Sequence, residues 1–273
     1  MPRIQLIAVD LDGTLLNSQH QLTERTIQAL RRAIAQGVKV VIATGKTLLS
    51  AAEAYRLLEL DTPGVFLQGL IIYNADGSIR HQQTHAPEFV RAIANYARQQ
   101  GVSLVAYSGG DIFTEQRTEQ TDKLLKFHEP TPQPVASLNA LLAERPMHKL
   151  MVIEEPARTA AVRAELSVRY AGQATFVQAL PDMLEILPPG ASKGAGLRWL
   201  LDDLGIAPER VLAIGDGEND VEMLQMVGIG VAVGNAAPQA TAAANYMVAS
   251  NDADGVAEAV ERFVLVPTGI ALD

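Results

Sequence analysis

Two aspartates separated by one residue, Asp10 and Asp12, are the side chains of this sequence best placed to do chemistry together. They close an apolar run that begins at Leu6, and alternate residues of an extended chain point to the same side. The two carboxylates are therefore expected to face one pocket. Carboxylates this close repel each other unless a cation lies between them or one is protonated. The alternative is a simple turn at a strand end, which Asp12-Gly13 would also favour.

Three later apolar runs also end at a polar residue. All four runs are short, rich in β-branched residues and nearly continuous, which is typical of strands buried on both faces of a parallel sheet. The runs are Leu6–Asp10, Val38–Thr44, Val211–Asp216 and Ile229–Asn235. Ligands bind outside the carboxyl ends of the strands in open parallel sheets, so the four polar ends are expected to share one site.

Helical patterns separate these strands. Thr23 is predicted to cap a helix that ends at Gly37, and Ser192 is predicted to cap a helix that ends at Gly205. Further helices are predicted over residues 219–227 and 255–263. This alternation predicts an α/β fold with a doubly wound, Rossmann-like parallel sheet.

The middle of the chain breaks the alternation and predicts an inserted α+β domain. Its predicted helices are 88–100, 138–144 and 158–170, and its predicted strands are 102–106, 112–115, 149–153, one near Phe176, and 184–187. We therefore predict a core domain of residues 1–80 and 188–273, and a cap domain of residues 81–187.

The composition excludes several classes of protein. Of the 273 residues, 48% are hydrophobic and 19% are charged, which favours a folded globular chain over a disordered one. Cysteine is absent, which excludes disulfides, thiolate metal sites and a thiol nucleophile. The formal net charge of −9 disfavours a nucleic-acid partner. Neither an export signal nor a membrane span is predicted, and we expect a cytoplasmic protein.

Four stretches of the sequence, in order, resemble the motifs of the haloacid-dehalogenase (HAD) superfamily. They are Asp10-Leu11-Asp12-Gly13-Thr14, Thr44-Gly45, Ser192-Lys193-Gly194 and Gly215-Asp216-Gly217-Glu218-Asn219-Asp220. Gly234-Asn235-Ala236 and Asp254-Gly255-Val256-Ala257 also resemble the Cof-type branch, whose α+β cap is inserted between the second and third motifs. The resemblance covers essentially the whole chain.

The resemblance implies a phosphatase that hydrolyses small phosphorylated metabolites, such as sugar phosphates, through an aspartyl-phosphate. In that family the first Asp of the first motif is the nucleophile and the second is the general acid–base, which implies Asp10 and Asp12 here. The cap is expected to close over the site and to control which leaving group is accepted. A phosphosugar mutase of the same superfamily and a non-catalytic protein that binds phosphorylated metabolites remain alternatives.

Four residues at strand and helix ends are predicted to bind the phosphate: Thr44, Gly45, Lys193 and Asn219. Thr44 offers its hydroxyl and the N–H groups that follow it. Lys193 stands at a helix N-terminus, where the dipole disfavours a cation, so we expect carboxylates and a phosphate to face it. A solvated surface lysine is the alternative. Asn219 is also a candidate for a helix cap.

A metal ion is predicted at Asp10, Asp216 and the carbonyl of Asp12. Hard oxygen ligands, with no cluster of His or Cys nearby, favour Mg²⁺ over Zn²⁺. Asp220 is expected to support Lys193 or a metal-bound water rather than to bind the metal. Its alternative role is that of an acidic residue in the first turn of a helix, which the helix dipole favours.

The sequence departs from the Cof-type pattern at two positions. Lys46 stands where that branch usually has Arg, which keeps the charge but loses the bidentate fork. Gln68-Gly69 stands where the branch usually has Asn-Gly. Gly45-Lys46-Thr47 resembles the end of a Walker A loop, but Val40 occupies the position of its leading Gly, which excludes a P-loop.

Four side chains of the predicted cap are candidates for contact with the leaving group: Arg117, Lys123, Lys126 and His128. The sequence does not indicate which of them points towards the core.

Overall fold

The structure is a computed structural model that describes residues 3–265. Its strands are β1 (Leu6–Val9), β2 (Lys39–Ile42), β3 (Gly64–Phe66), β4 (Ile71–Tyr73), β5 (Ile79–Gln82), β6 (Leu104–Ser108), β7 (Asp111–Thr114), β8 (Gln133–Pro134), β9 (Lys149–Ile153), β10 (Thr175–Leu180), β11 (Met183–Leu187), β12 (Val211–Gly215), β13 (Ile229–Ala232) and β14 (Tyr246–Met247). Its α-helices are α1 (Glu24–Ala35), α2 (Ala52–Leu58), α3 (Pro87–Gln100), α4 (Glu119–Asp122), α5 (Leu138–Leu141), α6 (Pro156–Arg169), α7 (Lys193–Leu204), α8 (Val221–Met226), α9 (Pro238–Ala243) and α10 (Gly255–Val260). Short 3₁₀ helices cover Leu49–Ala51, Lys123–Phe127, Pro208–Arg210, Glu218–Asp220 and Asn251–Ala253, and a π-helix covers Glu261–Leu265.

The chain divides into two compact units. The first unit consists of the described residues of Met1–Gly45, Ala51–Arg80 and Ser192–Asp273, and the second consists of Lys46–Ser50 and His81–Ala191. The domain boundaries that we derived from the sequence remain a prediction, and the outer ends of the predicted core lie outside the described residues.

The first unit is organised around a parallel sheet whose five described strands lie in the order β14-β13-β12-β1-β2. In this sheet Leu6 of β1 lies opposite Val211 of β12 on one side and opposite Lys39 of β2 on the other. The chain therefore runs from β1 to its neighbour β2 on one side, and it later adds β12 on the other side of β1. The strand order thus reverses at β1. Ligands bind at such a switch point in open α/β sheets. The predicted fold class, a doubly wound α/β core with an additional α+β part, is confirmed.

Apolar side chains position the strand ends of this sheet. Every residue of β1 and β12 is buried, in keeping with their nearly continuous apolar sequences. Leu6 and Val211 share a core cluster with Leu197 and Leu200 of α7. Full burial of such a leucine side chain stabilises the fold by about 1.5–3 kcal/mol. This packing holds α7 against the sheet that carries Asp10.

The two predicted helix caps are present. The Thr23 hydroxyl accepts a hydrogen bond from the N–H of Thr26 at 3.3 Å at the start of α1. Ser192 accepts one from the N–H of Ala195 at 2.9 Å, so Lys193 is the first residue of α7. Within residues 3–265, no helix has both the length and the apolar character that crossing a membrane requires.

A sheet of β3, β4 and β5 was not predicted. These strands have three or four residues each, which is too short for a hydrophobic period to emerge from the sequence. Their importance lies in the turn between β3 and β4, which contributes Gln68 to the candidate site.

The second unit is built on a mainly antiparallel sheet, whose described strands lie in the order β10-β11-β9-β6-β7-β8. Alternate residues of each strand face opposite sides of the sheet. One face packs on α3 and α6 in a single core cluster that includes Leu104, Leu150 and Ile186. The intervening residues, which include Tyr107 and Lys149, point to the other face.

Two histidines of the second unit are buried in their neutral form. The ring of His85 donates from Nε2 to the backbone oxygen of Ile186 at 3.0 Å. His148 accepts a hydrogen bond at Nδ1 from the N–H of Gly109 at 3.1 Å, and its Nε2 lies 3.0 Å from Oε1 of Gln82. Burial lowers the pKa of both His85 and His148 to about 4.

We expect the second unit to lose stability as the pH falls from about 6.5 to about 4. The unfolded chain binds protons first, because an unperturbed histidine titrates near pH 6.5. The stabilisation is complete above that pH, and each histidine should cost about 2 kcal/mol between pH 7.5 and 5. Urea unfolding at both pH values measures this loss. His148→Asn keeps an acceptor for the N–H of Gly109 and should remove about half of the pH dependence; an unchanged dependence would contradict the assignment.

Candidate active site

The carboxyl end of β1 carries Asp10 and begins a tight turn. The N–H of Asp10 donates to the carbonyl of Ile214 in β12 at 3.0 Å, and the Asp10 carbonyl accepts from the N–H of Leu15 at 3.1 Å. Gly13 has a φ of +77°, which glycine adopts without strain. A Cβ atom at Gly13 would lie 2.5 Å from Oδ2 of Asp216. Glycine therefore permits the turn to approach Asp216.

Asp216 follows β12 and lies beside this turn. The hydroxyl of Thr14 donates to Oδ1 of Asp216 at 2.7 Å. The side chain of Asn235, which follows β13, donates to the carbonyl of Gly13 at 2.7 Å. Burial raises the pKa of Asp216, and the hydrogen bond from Thr14 opposes that rise. Three of the polar strand ends that the sequence singled out are thus brought together.

Lys193 places a buried cation against two carboxylates. Its side chain is 1% exposed, and Nζ donates to Oδ1 of Asp10 at 2.5 Å and to Oδ1 of Asp220 at 2.8 Å. Burial alone lowers the pKa of a lysine, but Asp10 and Asp220 outweigh burial and hold the pKa of Lys193 above its ordinary value. The amine therefore remains protonated. The alternative of a solvated surface lysine is excluded.

Asp220 has both oxygens engaged by the protein. Oδ1 accepts from Lys193, and Oδ2 accepts from the N–H groups of Asp216 at 3.0 Å and Gly217 at 2.9 Å. Glycine at position 215 allows this approach, since a Cβ atom there would lie 2.6 Å from Cγ of Asp220. This arrangement suits a supporting residue better than a metal ligand.

Asn219 occupies a different environment from the one expected of a helix cap. The predicted helix over residues 219–227 is a 3₁₀ turn at Glu218–Asp220 followed by α8. The cap alternative is wrong, because the N-cap positions of the 3₁₀ turn and of α8 are Gly217 and Asp220. The side-chain Nδ2 of Asn219 donates instead to Oε1 of Gln68 at 3.1 Å.

Gln68 is a site residue that the sequence did not reveal. It is buried, and its N–H donates to the carbonyl of Thr44 at 3.1 Å. A Cβ atom at Gly45 would lie 2.6 Å from Nε2 of Gln68, so the side-chain amide packs directly on the Thr44-Gly45 segment. Through this contact and the bond to Asn219, Gln68 connects two predicted phosphate-binding elements. The departure from Asn-Gly was its one signal in the sequence.

The backbone at Gln68 is also unusual. Gln68 has a φ of +61° and Leu67 a φ of +49°. Left-handed conformations at non-glycine residues cost on the order of 1–3 kcal/mol each and cluster at functional sites. The surrounding contacts therefore stabilise this turn against its own strain.

Asp12 lies in a more open environment than Asp10. Its side chain is 30% exposed, and Nδ1 of His20 lies 3.5 Å from its Oδ1. The sequence did not predict this neighbour, because His20 belongs to a loop that has no strand or helix pattern. Asp12 thus has access to solvent, whereas Asp10 is buried.

Oxygen atoms of Asp10, Asp216 and Asp220 lie within 4.8 Å of one another. Burial raises the pKa of Asp10 well above its ordinary value; Lys193 opposes this rise, and Asp220 and Asp216 add to it. A hard divalent cation beside these carboxylates would stabilise the ionised form of Asp10 and so offset the rise in its pKa. Because Asp220 is engaged elsewhere, Asp10 and Asp216 are the carboxylates that fit such a cation.

These features define a doubly wound α/β protein with an acidic centre at its topological switch point. A family model described as haloacid dehalogenase-like hydrolase matches residues 7–260. The chain therefore belongs to the haloacid dehalogenase-like hydrolase family, and the family predicted from the four motifs is confirmed.

Individual relatives extend this comparison. An Arabidopsis thaliana protein named as a chloroplastic endoribonuclease is 37% identical over 96% of this chain, and the match spans 47% of that protein. A Bacillus subtilis protein named as a 5-amino-6-(5-phospho-D-ribitylamino)uracil phosphatase is 31% identical over 94% of this chain and 97% of its own length. The crystal structure of a haloacid dehalogenase-like hydrolase from Bacteroides thetaiotaomicron has a TM-score of 0.86 and 31% identity, and the match covers 95% of this chain and 99% of that one.

Proposed function

We propose that this protein is a phosphatase that hydrolyses monoesters of small phosphorylated metabolites through an aspartyl-phosphate at Asp10. The observation that carries the proposal is the contact of buried Lys193 with Asp10 and Asp220 at the switch point of the sheet. A fixed cation beside a buried carboxylate suits attack on a negatively charged phosphate. The similarity to the phosphatase from B. subtilis supports the same class of reaction.

In the first step, a carboxylate oxygen of Asp10 attacks phosphorus, and the bond between phosphorus and the leaving oxygen breaks. Asp12 donates its proton to that oxygen, so the leaving group departs as an alcohol. Lys193 favours the ionised form of Asp10 and stabilises negative charge on the phosphoryl oxygens. The hydroxyl of Thr44 and the N–H groups that follow it, including Gly45, bind the same oxygens.

In the second step, water attacks the phosphorus of the aspartyl-phosphate, and Asp12 accepts a proton from the water. The bond between phosphorus and Asp10 breaks, inorganic phosphate leaves, and both carboxyl groups return to their starting states. The partial exposure of Asp12 and its neighbour His20 suit a group that exchanges protons. Asn219, held by Gln68, is proposed to bind the phosphate in both steps.

We propose Mg²⁺ as the metal, held by Asp10, Asp216 and the carbonyl of Asp12. When bound, it supplies positive charge that offsets the repulsion between the phosphate dianion and Asp10. Thr14 holds the carboxylate of Asp216 in place through its 2.7 Å hydrogen bond. Asp220 has the separate task of holding Lys193.

We expect the purified protein to release inorganic phosphate in a Mg²⁺-dependent manner, because the metal screens two anions that must approach. The assay uses sugar phosphates, pyridoxal phosphate, flavin mononucleotide and nucleotides, with Mg²⁺, after exhaustive chelation, and after Mg²⁺ is restored. Full activity after chelation would contradict the role of the metal. Transfer of phosphate within a sugar, without release, would identify a mutase, and binding without turnover would identify a non-catalytic protein.

A further inference from the structure

The chain between β1 and α1 contains a loop of residues 13–23, which we call the β1–α1 loop. It begins directly after Asp12, the proposed general acid, and ends at Thr23, the cap of α1. Gly13 opens the loop with a φ of +77°. Glycine adopts positive and negative φ values about equally readily, so the residue itself does not fix the orientation of its carbonyl. Contacts from elsewhere in the fold must fix it.

Asn235 supplies such a contact. Its Nδ2 donates to the carbonyl of Gly13 at 2.7 Å, and its Oδ1 accepts from the N–H of Asn251 at 2.9 Å. Nδ2 of Asn251 in turn donates to the carbonyl of Leu16 at 2.9 Å. The two asparagines, which we call the asparagine strap, therefore hold the start of the β1–α1 loop at two of its carbonyls.

The backbone around Asn235 is itself anchored after β13. The N–H of Gly234 donates to the carbonyl of Ala249 at 3.0 Å. The N–H of Ala237 donates to the carbonyl of Asp216 at 2.8 Å. The asparagine strap thus connects the turn after Asp10 to the backbone of Asp216, the other carboxylate proposed to bind the metal.

The rest of the β1–α1 loop is held by the segment before α10. The N–H of Ser18 donates to Oδ1 of Asp252 at 2.7 Å, and the hydroxyl of Thr23 donates to Oδ1 of Asp254 at 2.5 Å. All of these residues belong to the first unit. Asn235 and Asp254 lie in the two stretches that resemble the Cof-type branch, and the proposed mechanism gives neither of them a role.

The asparagine strap acts on the peptide next to Asp12. The carbonyl that it holds belongs to the peptide between Gly13 and Thr14, and the hydroxyl of Thr14 donates to Oδ1 of Asp216 at 2.7 Å. A rotation of this peptide would move Asp12 relative to Thr14. Proton transfer requires the donor within hydrogen-bond reach of the acceptor, so a small displacement of Asp12 slows the transfer. The Asp12 side chain is 30% exposed, so its position depends strongly on the backbone.

We propose that Asn235 is a positioning residue for the general acid: by holding the Gly13 carbonyl, it keeps Asp12 aligned with the leaving oxygen. The inference rests on the proposed phosphatase function. Asn235 acts through the backbone of the turn and not on the substrate. Its loss should therefore slow the step that needs the proton of Asp12 and leave phosphate binding unchanged.

Asn235→Ala tests the proposal because it removes both hydrogen bonds of the side chain. The measurement is the release of the leaving group in a single turnover, with enzyme in excess and saturating Mg²⁺. For an alkyl or sugar phosphate, whose leaving oxygen needs a proton, the maximal rate should fall by about 3- to 10-fold, the range that one net hydrogen bond supports. For p-nitrophenyl phosphate, whose leaving group departs as a stable anion, it should change by less than about twofold.

Two further readouts separate positioning from a general loss of structure. The enzyme concentration that gives half of the maximal rate should stay within about twofold of the wild type, because the phosphate-binding groups are unchanged. Asn235 is exposed, and surface substitutions change stability little, so the thermal midpoint should shift by no more than about 2 °C.

Asn251→Ala provides a second, independent variant. It keeps its N–H for Asn235 and loses the hydrogen bond to Leu16. The maximal rate for the alkyl or sugar phosphate should fall by about threefold, again without a matching loss for p-nitrophenyl phosphate.

Asn74→Ala is the matched control. Asn74 belongs to the turn between β4 and β5 in the first unit, where its Nδ2 donates to the hydroxyl of Ser78 at 3.0 Å and its Oδ1 accepts from Arg80 at 2.9 Å. This control should leave the rates with both substrates unchanged.

The outcomes distinguish this inference from the proposed function. If the asparagine variants lose activity equally on both substrates, or lose none on the alkyl or sugar phosphate, the inference is overturned while the function of the wild type stands. A wild type that releases the leaving group from no phosphate monoester would overturn the proposed function and the inference together.

Discussion

Asp10→Asn should lower the rate of phosphate release by on the order of 10⁴-fold, the scale seen when a group that acts with its neighbours as one unit is removed. Asparagine has the shape of aspartate, but its amide does not form an acyl phosphate. The fold should persist, because Lys193 keeps its contact with Asp220. Burial already disfavours the ionised form of Asp10, so a neutral amide is tolerated there.

The measurement combines steady-state phosphate release at saturating Mg²⁺ with an acid quench that traps labelled phosphate on the protein. The wild type should retain label and Asp10→Asn should retain none. Asp76→Asn is the control, because Asp76 is an exposed carboxylate whose Oδ1 accepts from the N–H of Ser78, and asparagine preserves that acceptor. Activity of Asp10→Asn within about tenfold of the wild type would exclude the covalent mechanism.

Lys193→Met should reduce both stability and activity. Asp10 and Asp220 are buried and would lose their shared cation, and breaking a buried ion pair costs about 3–5 kcal/mol. The free energy of unfolding, measured in urea without metal, should fall by that amount. Activity should fall by at least about 100-fold, because charge stabilisation on the phosphoryl oxygens is lost.

A double variant separates these two effects. In Lys193→Met with Asp220→Asn, a cation and an anion disappear together, and asparagine keeps one oxygen for the N–H groups of Asp216 and Gly217. Neutral replacement of a buried pair is often tolerated, so most of the lost stability should return. Activity should stay low. If the single variant unfolds like the wild type, or if the double variant regains activity, Lys193 does not have the role assigned to it.

The position of the acidic centre could be predicted from the sequence because each strand that contributes to it ends its apolar run at a polar residue. Asp10 and Asp216 follow such runs, and a parallel sheet brings the ends of its strands to one edge. Ser192 supplied a clear cap signal, which put Lys193 at the start of α7. In each case a short sequence pattern and the general geometry of parallel α/β sheets predict the same position for the residue.

Gln68 and the buried ion pair of Lys149 with Glu185 could not be placed from the sequence, because their environments depend on contacts between distant parts of the chain. Gln68 belongs to the site because its N–H donates to the carbonyl of Thr44 and its side chain accepts from Asn219. Both partners lie far from it in the sequence. Lys149 opens an apolar run, where a charged residue ordinarily marks an exposed strand end, yet it faces Glu185 across the sheet. The hydrophobic period of a strand predicts which of its residues share a face of the sheet. It does not predict which side chains of neighbouring strands they contact.

The pairing of β1 with β12 has a consequence for biosynthesis. These strands lie side by side, although roughly two hundred residues separate them, and such non-local pairing slows folding. On the ribosome Asp10 is made before the His81–Ala191 segment, whereas Lys193 and Asp216 are made after it. Under the proposed mechanism a nascent chain therefore carries its nucleophile well before it carries the groups that activate it. The proposed hydrolysis therefore requires the pairing of β12 with β1, which is possible only after the inserted segment has been made.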